Sequence, residues 1–303
     1  MVLKFIKANY VSYVSQTLAM LVVSFFVYAY TSDLGLRQPM HTLQCFFTNA
    51  PSFFWNVITV STYYYLFFIP FVIIPLMVFW VVFKRFFFKY RIQQIEKHTA
   101  VHFAHDLIES IFSTLGFVLV GLMQLKLADQ GVIKLYNNFG DHPWYAVPIA
   151  VVAWFVFEDT WFYWIHRAMH HKWIYKYVHA SHHVSVDTSP FTQNAFHFVE
   201  ALVAGLGSIF ATMIFPSYGP AYFIFQMFGA TVNMIEHNGY EFYPKWTLFW
   251  KTTATHHNMH HQYFDGNYGT HFTFWDKICK TEFADYEERF LEIKQRVTKG
   301  IKN

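Results

Sequence analysis

Cysteine and charge are both scarce in this chain of 303 residues. The two cysteines, Cys45 and Cys279, lie far apart and form no Cys-x-x-Cys pair, which argues against a disulfide framework and against a thiolate metal site. Charged residues make up 14% of the chain, whereas an ordinary globular domain has roughly 25%. The net charge of +3 is spread over loops without a basic run, so the sequence does not indicate nucleic-acid binding.

Several catalytic motifs are also missing. The first histidine pair reads His166-Arg-Ala-Met-His170, which lacks the glutamate base of a HExxH zinc protease. The Glu-x-x-His pairs of carboxylate-bridged di-iron bundles are absent as well. The sequence has no flavin fingerprint, no haem motif and no cysteine ligands for an iron–sulfur cluster, so any redox chemistry needs an external electron source.

Apolar residues are abundant, and they predict an integral membrane protein. Hydrophobic residues are 54% and aromatic residues 22% of the chain. Since a helix needs about 20 apolar residues to cross a bilayer, we predict four transmembrane helices, at Tyr10 to Tyr30, Trp55 to Phe83, Leu107 to Leu127 and Trp144 to Ile165. The first is expected to be an uncleaved span and not a signal peptide.

The distribution of basic residues predicts the orientation. The loop from Lys84 to Lys97 holds the densest basic cluster of the N-terminal half, which places it and the N-terminus in the cytosol by the positive-inside rule. His166 then emerges on the cytosolic side. The apolar stretch from Phe198 to Ile235 is interrupted by Pro216, Gly219 and Pro220, which predicts a helical hairpin that returns to the side it left.

Histidine is concentrated in one third of the chain. Thirteen of the eighteen histidines lie between His166 and His271. A helix through the first stretch would place His166 and His170 on one face and His179, His182 and His183 on another, and the same spacing recurs at His257, His260 and His261. These are more imidazoles than one tetrahedral metal can use, so two metal ions are predicted.

The remaining histidines are assigned separately. His171 and His256 point about 100° away from the ligand positions on a helix, which favours a supporting or surface role. His197 and His237 lie at the two ends of the hairpin, and we include His237 among the predicted ligands, while His197 and His271 stay open. Five others are interpreted as isolated core or surface groups: His41, His98, His102, His105 and His142.

An all-imidazole site within an apolar wall suits iron that binds dioxygen and oxidises a lipid, because a hydrocarbon C–H bond offers no handle to an acid or base. A membrane metal transporter or storage protein could also use histidines, but it should line its spans with polar groups. Two carboxylates, Glu158 and Asp159, lie near a span interior. Asp159 precedes His166 by two helical turns and is predicted to accept a hydrogen bond from a ligand imidazole.

The motifs HRAMH, HASHH and HHNMHH resemble the HxxxH, HxxHH and HxxHH boxes of the fatty acid hydroxylase and sterol desaturase superfamily. The similarity extends through EDTWFYWIHRAMHHKWIYKYVHASHH, IEHNGYEF and NYGTHFTFWD, and it is greatest to the C4-methylsterol oxidases. Asn233 stands where one branch has a further histidine, so we include it as a site residue. Lys280-Thr281 replaces the Gly-Thr that usually follows the Trp-Asp pair in this family.

The resemblance implies an all-α fold with four transmembrane helices, the short apolar hairpin and a histidine-rich cytosolic cap. It implies two iron ions, replaceable by zinc, held by nine histidines: His166, His170, His179, His182, His183, His237, His257, His260 and His261. We divide the single membrane-embedded domain, 1–303, into a transmembrane part (1–143), a catalytic region (144–285) and a charged C-terminal helix (286–303).

The expected function is the dioxygen-dependent hydroxylation or desaturation of a sterol or related lipid by a membrane oxidoreductase. Electrons would come from NAD(P)H through a reductase and a carrier such as cytochrome b5 or a ferredoxin. A fatty-acyl or sphingolipid hydroxylase is the alternative within the class, and a metal-binding or transport protein is the alternative outside it. The endoplasmic reticulum, or the cytoplasmic membrane if the source is bacterial, is the expected location.

Overall fold

The computed structural model describes residues 16–23, 86–94, 99–136, 138–242 and 252–299. Within these ranges the protein is mostly helical. Eight helices organise the described chain: α1 (Ala100–Asp129), α2 (Ala146–Met169), α3 (Tyr175–Val178), α4 (Phe198–Ile214), α5 (Gly219–Glu236), α6 (Ala254–Tyr263), α7 (Phe274–Cys279) and α8 (Tyr286–Lys299). Residues 16–23 are also helical.

Two of the described helices, α1 and α2, are long and apolar enough to cross a membrane. They contain the predicted third and fourth spans. Of the predicted first span, residues 16–23 are helical as expected, and the predicted second span lies outside the described residues. Thr99 and His102 form a capping box at the N-terminus of α1. The Thr99 side chain accepts the backbone N–H of His102, and the His102 side chain accepts the backbone N–H of Thr99.

The predicted hairpin is present as α4 and α5. Proline at the second position of α5 starts that helix without losing a hydrogen bond. The connection between the helices contains a strand, β2 (Ser217–Tyr218), that pairs in parallel with β1 (Leu135–Tyr136) after α1. This two-stranded pair is a small departure from the all-α prediction, and it ties the hairpin to the far end of α1.

Helix α4 packs between α1 and α2. A Cβ atom at Gly116 of α1 would lie 3.0 Å from Ala201 of α4, and one at Gly207 of α4 would lie 2.5 Å from the indole of Trp161 on α2. Glycine therefore permits close approach at both crossings. Around the first crossing, Val118, Leu119 and Leu122 pack against Phe198 to form one part of the core.

The segment from His166 to His183 is not one continuous helix, so the faces expected of a helical stretch do not apply to it as a whole. Helix α2 ends at Met169, a turn follows, α3 is one turn long, and His182–Val184 form a short 3-10 helix. At the end of α3 the backbone N–H groups of His179 and Ala180 both donate to the carbonyl oxygen of Tyr175. The chain reverses in this segment, since the Nε2 atoms of His166 and His179 are 3.1 Å apart. This reversal folds the second histidine cluster back toward the first.

Candidate metal centre

Nine histidines converge into two groups in the described chain. His166, His170, His179, His183 and His260 form the five-histidine group, and His182, His237, His257 and His261 form the four-histidine group. Within each group the ring nitrogens that could bind a metal all lie within 4.8 Å of one another. These are the nine residues that the sequence proposes as ligands.

Two of the three histidine clusters of the sequence are divided between the groups, whereas His166 and His170 both belong to the five-histidine group. On α6, His257 and His261 are one helical turn apart and face the four-histidine group, while His260 faces the five-histidine group. The HASHH stretch divides in the same way, because His182 points away from His179 and His183. The two groups are adjacent, since the rings of His183 and His261 are 4.7 Å apart.

Backbone carbonyl groups orient four of the rings. A carbonyl oxygen can only accept a hydrogen bond, so a ring Nδ1 next to it carries the proton and the Nε2 atom keeps its lone pair. The Nδ1 donors and their acceptors are His166 to Tyr268 O (2.9 Å), His182 to Ala195 O (3.3 Å), His237 to Asn233 O (2.7 Å) and His260 to Gly266 O (2.7 Å).

The Nε2 atoms converge within each group. Those of His166 and His179 are 3.1 Å apart, and those of His182 and His237 are 3.5 Å apart. In the second pair both Nδ1 atoms donate to carbonyl groups, so two lone pairs face each other and repel unless a cation lies between them. Metal–imidazole bonds of about 2.0–2.1 Å would separate two nitrogens on one ion by about 2.8–3.4 Å, so the donors present fit a metal ion in each group.

Burial keeps these imidazoles neutral, as metal ligands must be. Eight of the nine rings are buried, and His170 is half-buried. Desolvation lowers the pKa of His237 to about 4. For His260, desolvation followed by repulsion from neighbouring rings lowers the pKa well below its usual value.

The half-buried His170 opens onto a surface cleft of roughly 590 Å³. The cleft is lined by Trp164, Arg167, Tyr268 and Lys280, among others. Tyr268 is itself buried and its ring contacts those of His166, His170 and His260. The five-histidine group is therefore reachable from this side of the protein.

Buried polar contacts connect residues 86–94 to segments that carry the two histidine groups. Arg91 pairs with Asp187 at 2.5 Å, where both side chains are 1% exposed. Gln93 donates to Asn258, which in turn donates to Thr188. These bonds link three segments that are distant in sequence, and they fix the HASHH stretch and α6 relative to each other.

Comparisons with known proteins agree with this geometry. The family model described as fatty acid hydroxylase matches residues 151–281, which contain all nine histidines. A Dictyostelium discoideum protein, assigned provisionally as a methylsterol monooxygenase, is 31% identical over 237 residues, which cover 76% of this chain and 84% of that protein. This chain belongs to the fatty acid hydroxylase family.

Two further relatives share the catalytic region. Mouse lathosterol oxidase is 34% identical over 161 residues, covering 52% of this chain and 53% of the mouse protein. Methylsterol monooxygenase 1 of Danio rerio is 38% identical over 131 residues, covering 42% of this chain and 44% of the fish protein. The chain thus matches about half the length of these relatives. No solved structure matches it.

The backbone at Lys280 explains why glycine is usual at this position of the family pattern. Lys280 follows α7 with a φ of 56°, in the left-handed region that favours glycine. The neighbouring Asp276 accepts hydrogen bonds from the backbone of Tyr268 and Gly269 and from the hydroxyl of Thr281. The Trp-Asp and Lys-Thr elements therefore shape the loop whose Tyr268 carbonyl orients His166.

The expected hydrogen bond from a ligand imidazole to Asp159 is corrected by the structure. The Asp159 carboxylate accepts the backbone N–H groups of His271 and Phe272, at 3.1 and 2.9 Å. Seven helical residues span about 10.5 Å along the axis, which is too far for direct contact with His166. The backbone carbonyl of Asn233 accepts the Nδ1 proton of His237. The side-chain amide of Asn233 donates to Gln193.

The other four histidines between His166 and His271 lie outside both groups. His171 is exposed. His256 is buried, with Nε2 3.6 Å from a carboxylate oxygen of Asp276 and its ring against Tyr286. His197 caps α4, where its Nδ1 accepts the N–H of Val199. The ring of His271 contacts Phe155.

Sequence reasoning missed a set of buried polar groups beside the metal centre. His105 is a core residue, one of the two roles expected for it, and Asp106 and Glu109 are buried beside it on α1. Glu200 of α4 is buried against His179. A signal for Glu200 was available, because it is the one charged residue between 198 and 235, and a lone charge in an apolar helix indicates a functional position.

Proposed function

We propose that this protein is a membrane-bound di-iron oxidoreductase that uses dioxygen to hydroxylate or desaturate a sterol or a related lipid. The observation that carries the proposal is the pair of histidine groups, in each of which the ring nitrogens converge to within 4.8 Å of one another. The sterol class is supported by relatives named as lathosterol oxidase, methylsterol monooxygenase and sterol desaturase.

The five-histidine group would hold one iron ion and the four-histidine group the other. When bound, the two ions would supply the activation of dioxygen that attack on an unactivated C–H bond requires. The protein holds the Nε2 atoms inward by fixing the Nδ1 protons on the carbonyls of Tyr268, Ala195, Asn233 and Gly266. The deep burial of the rings keeps bulk water away from the reacting lipid.

The stoichiometry defines the partners. Hydroxylation consumes one lipid C–H bond, one dioxygen, two electrons and two protons, and it yields one alcohol and one water. We propose that the electrons come from NAD(P)H through a reductase and a small carrier such as cytochrome b5 or a ferredoxin. We further propose four membrane spans with the histidine groups on the cytosolic side, in the endoplasmic reticulum or in a bacterial cytoplasmic membrane.

The test uses full-length protein in liposomes that contain candidate sterols and fatty-acyl lipids. Product carrying an atom from ¹⁸O-labelled dioxygen, or a new double bond, should form only when NAD(P)H, reductase and carrier are all present. His260→Ala should abolish it. A metal transporter would instead move metal across the liposome membrane without reductant or dioxygen, and that result without any oxidised lipid would refute the proposal.

A further inference from the structure

Glu200 is the carboxylate that contacts a ring of the two histidine groups within the described chain. Its Oε1 atom lies 2.8 Å from Nδ1 of His179, and the two side chains are 3% and 1% exposed. The two atoms are in direct polar contact, and the N–H direction of the ring is bent away from the carboxylate oxygen. The other oriented rings of the two groups donate to neutral backbone carbonyls.

His179 occupies the centre of the five-histidine group. Its Nε2 atom is 3.1 Å from that of His166 and 3.0 Å from that of His183. Its ring also packs on those of His170 and His182, and His182 belongs to the other group. The tilt of this one ring therefore influences the position of several possible ligands.

The first turn of α4, which carries Glu200, is connected to α1 by buried polar groups. Glu109 on α1 is a like-charged neighbour of Glu200 and repels it. Gln16 donates to Glu109 at 2.7 Å, and its carbonyl oxygen accepts the N–H of Phe198 in the first turn of α4. Three helical segments thus fix the position of the first turn of α4, from which the Glu200 side chain reaches His179.

We propose that Glu200 is the positioning residue for His179: its carboxylate accepts the Nδ1 proton, turns Nε2 toward the five-histidine group and increases the basicity of the ring. An acceptor on the outer nitrogen fixes the tautomer of a metal-bound imidazole, and a carboxylate does this more strongly than a carbonyl. This inference rests on the proposed function, since it assumes that the five-histidine group binds a metal ion.

The experiment compares Glu200→Gln and Glu200→Ala with Asp159→Asn in purified full-length protein. Asp159→Asn is the matched control, because it neutralises an equally buried carboxylate that accepts backbone N–H groups of His271 and Phe272, which are outside the nine rings. Each protein is loaded with Co²⁺ as the probe metal and then titrated with a chelator. Metal content per chain and the visible absorption bands of the bound Co²⁺ are recorded at every step.

Glu200→Ala should bind one of the two ions roughly 10- to 100-fold more weakly, the usual effect of losing such a partner, with a changed spectrum for that ion alone. Glu200→Gln should fall between Glu200→Ala and wild type, because the amide oxygen still accepts a hydrogen bond. Asp159→Asn should match wild type in metal binding. Equal losses in the Glu200 and Asp159 variants, loss of both ions together, or unchanged binding in Glu200→Ala would overturn the inference. A wild-type protein that binds fewer than two ions would instead count against the proposed function.

Discussion

The division of neighbouring histidines between two groups can be tested on a single helix. His260 and His261 are adjacent on α6, yet His260 belongs to the five-histidine group and His261 to the four-histidine group. Replacing each by alanine should therefore weaken a different ion. His256 on the same helix is equally buried but lies outside both groups, so His256→Ala is the matched control.

The expected magnitude follows from the number of ligands. Structural zinc sites with four ligands bind with about 10–16 kcal/mol, or roughly 2.5–4 kcal/mol per ligand, which corresponds to about 10²- to 10³-fold in affinity. His261→Ala leaves three imidazoles in its group, whereas His260→Ala leaves four. The affinity loss should therefore be larger for His261→Ala than for His260→Ala.

The assay is elemental analysis per chain after dialysis against a series of chelator concentrations. Wild type and His256→Ala should retain two ions, and each ligand variant should release one ion at a lower chelator concentration than wild type. The reasoning is refuted if His260→Ala and His261→Ala both release both ions at the wild-type midpoint, or if His256→Ala behaves like the ligand variants.

Three further predictions concern stability and packing. Lys280→Gly should stabilise the protein by about 1 kcal/mol, because glycine adopts the positive φ without strain; a lower midpoint than wild type in denaturation would contradict this. Asp159→Asn should lower the free energy of unfolding by roughly 1–3 kcal/mol, because a weaker acceptor replaces the carboxylate that accepts two backbone N–H groups. The variant should keep the wild-type metal content. A loss of metal would instead support the role of Asp159 as a partner of a ligand imidazole. Buried His197 and His256 have pKa values lowered by desolvation to about 4 and about 3, below the unfolded value of about 6.5. The unfolded chain therefore binds more protons over this window, and stability should fall by roughly 1–3 kcal/mol per ring as the pH drops from about 6.5 to 4; a denaturation midpoint that does not change with pH would refute the assignment.

Buried carboxylates lie near the neutral imidazoles of the two histidine groups. Among the nine rings, four donate Nδ1 to backbone carbonyls, and one contacts a carboxylate. A neutral imidazole adds no charge to the site, so two divalent ions would need negative charge nearby in a buried region. Glu200 and Asp276 are buried carboxylates close to this centre, and their placement is consistent with that need.

The sequence alone predicted the elements whose physical basis is local. Apolar runs of sufficient length predicted the spans that became α1 and α2, and proline and glycine at 216–220 predicted the break between α4 and α5. The i, i+3, i+4 spacing selected eight histidines, because residues one turn apart share a helix face, and the position of His237 at the end of the hairpin added the ninth. The structure brings those nine together, and their role as ligands remains a prediction.

Tertiary structure decided how the ring nitrogens are divided and oriented. The end of α2 at Met169 and the reversal before His179 separate His182 from its neighbours, which a single helix would not do. The acceptors on four rings are backbone carbonyls, and every residue has one, so no side-chain pattern could identify them. Glu200 contacts His179 through the tertiary packing of α4. The spacing of residues within a helix does not encode this contact between two different segments.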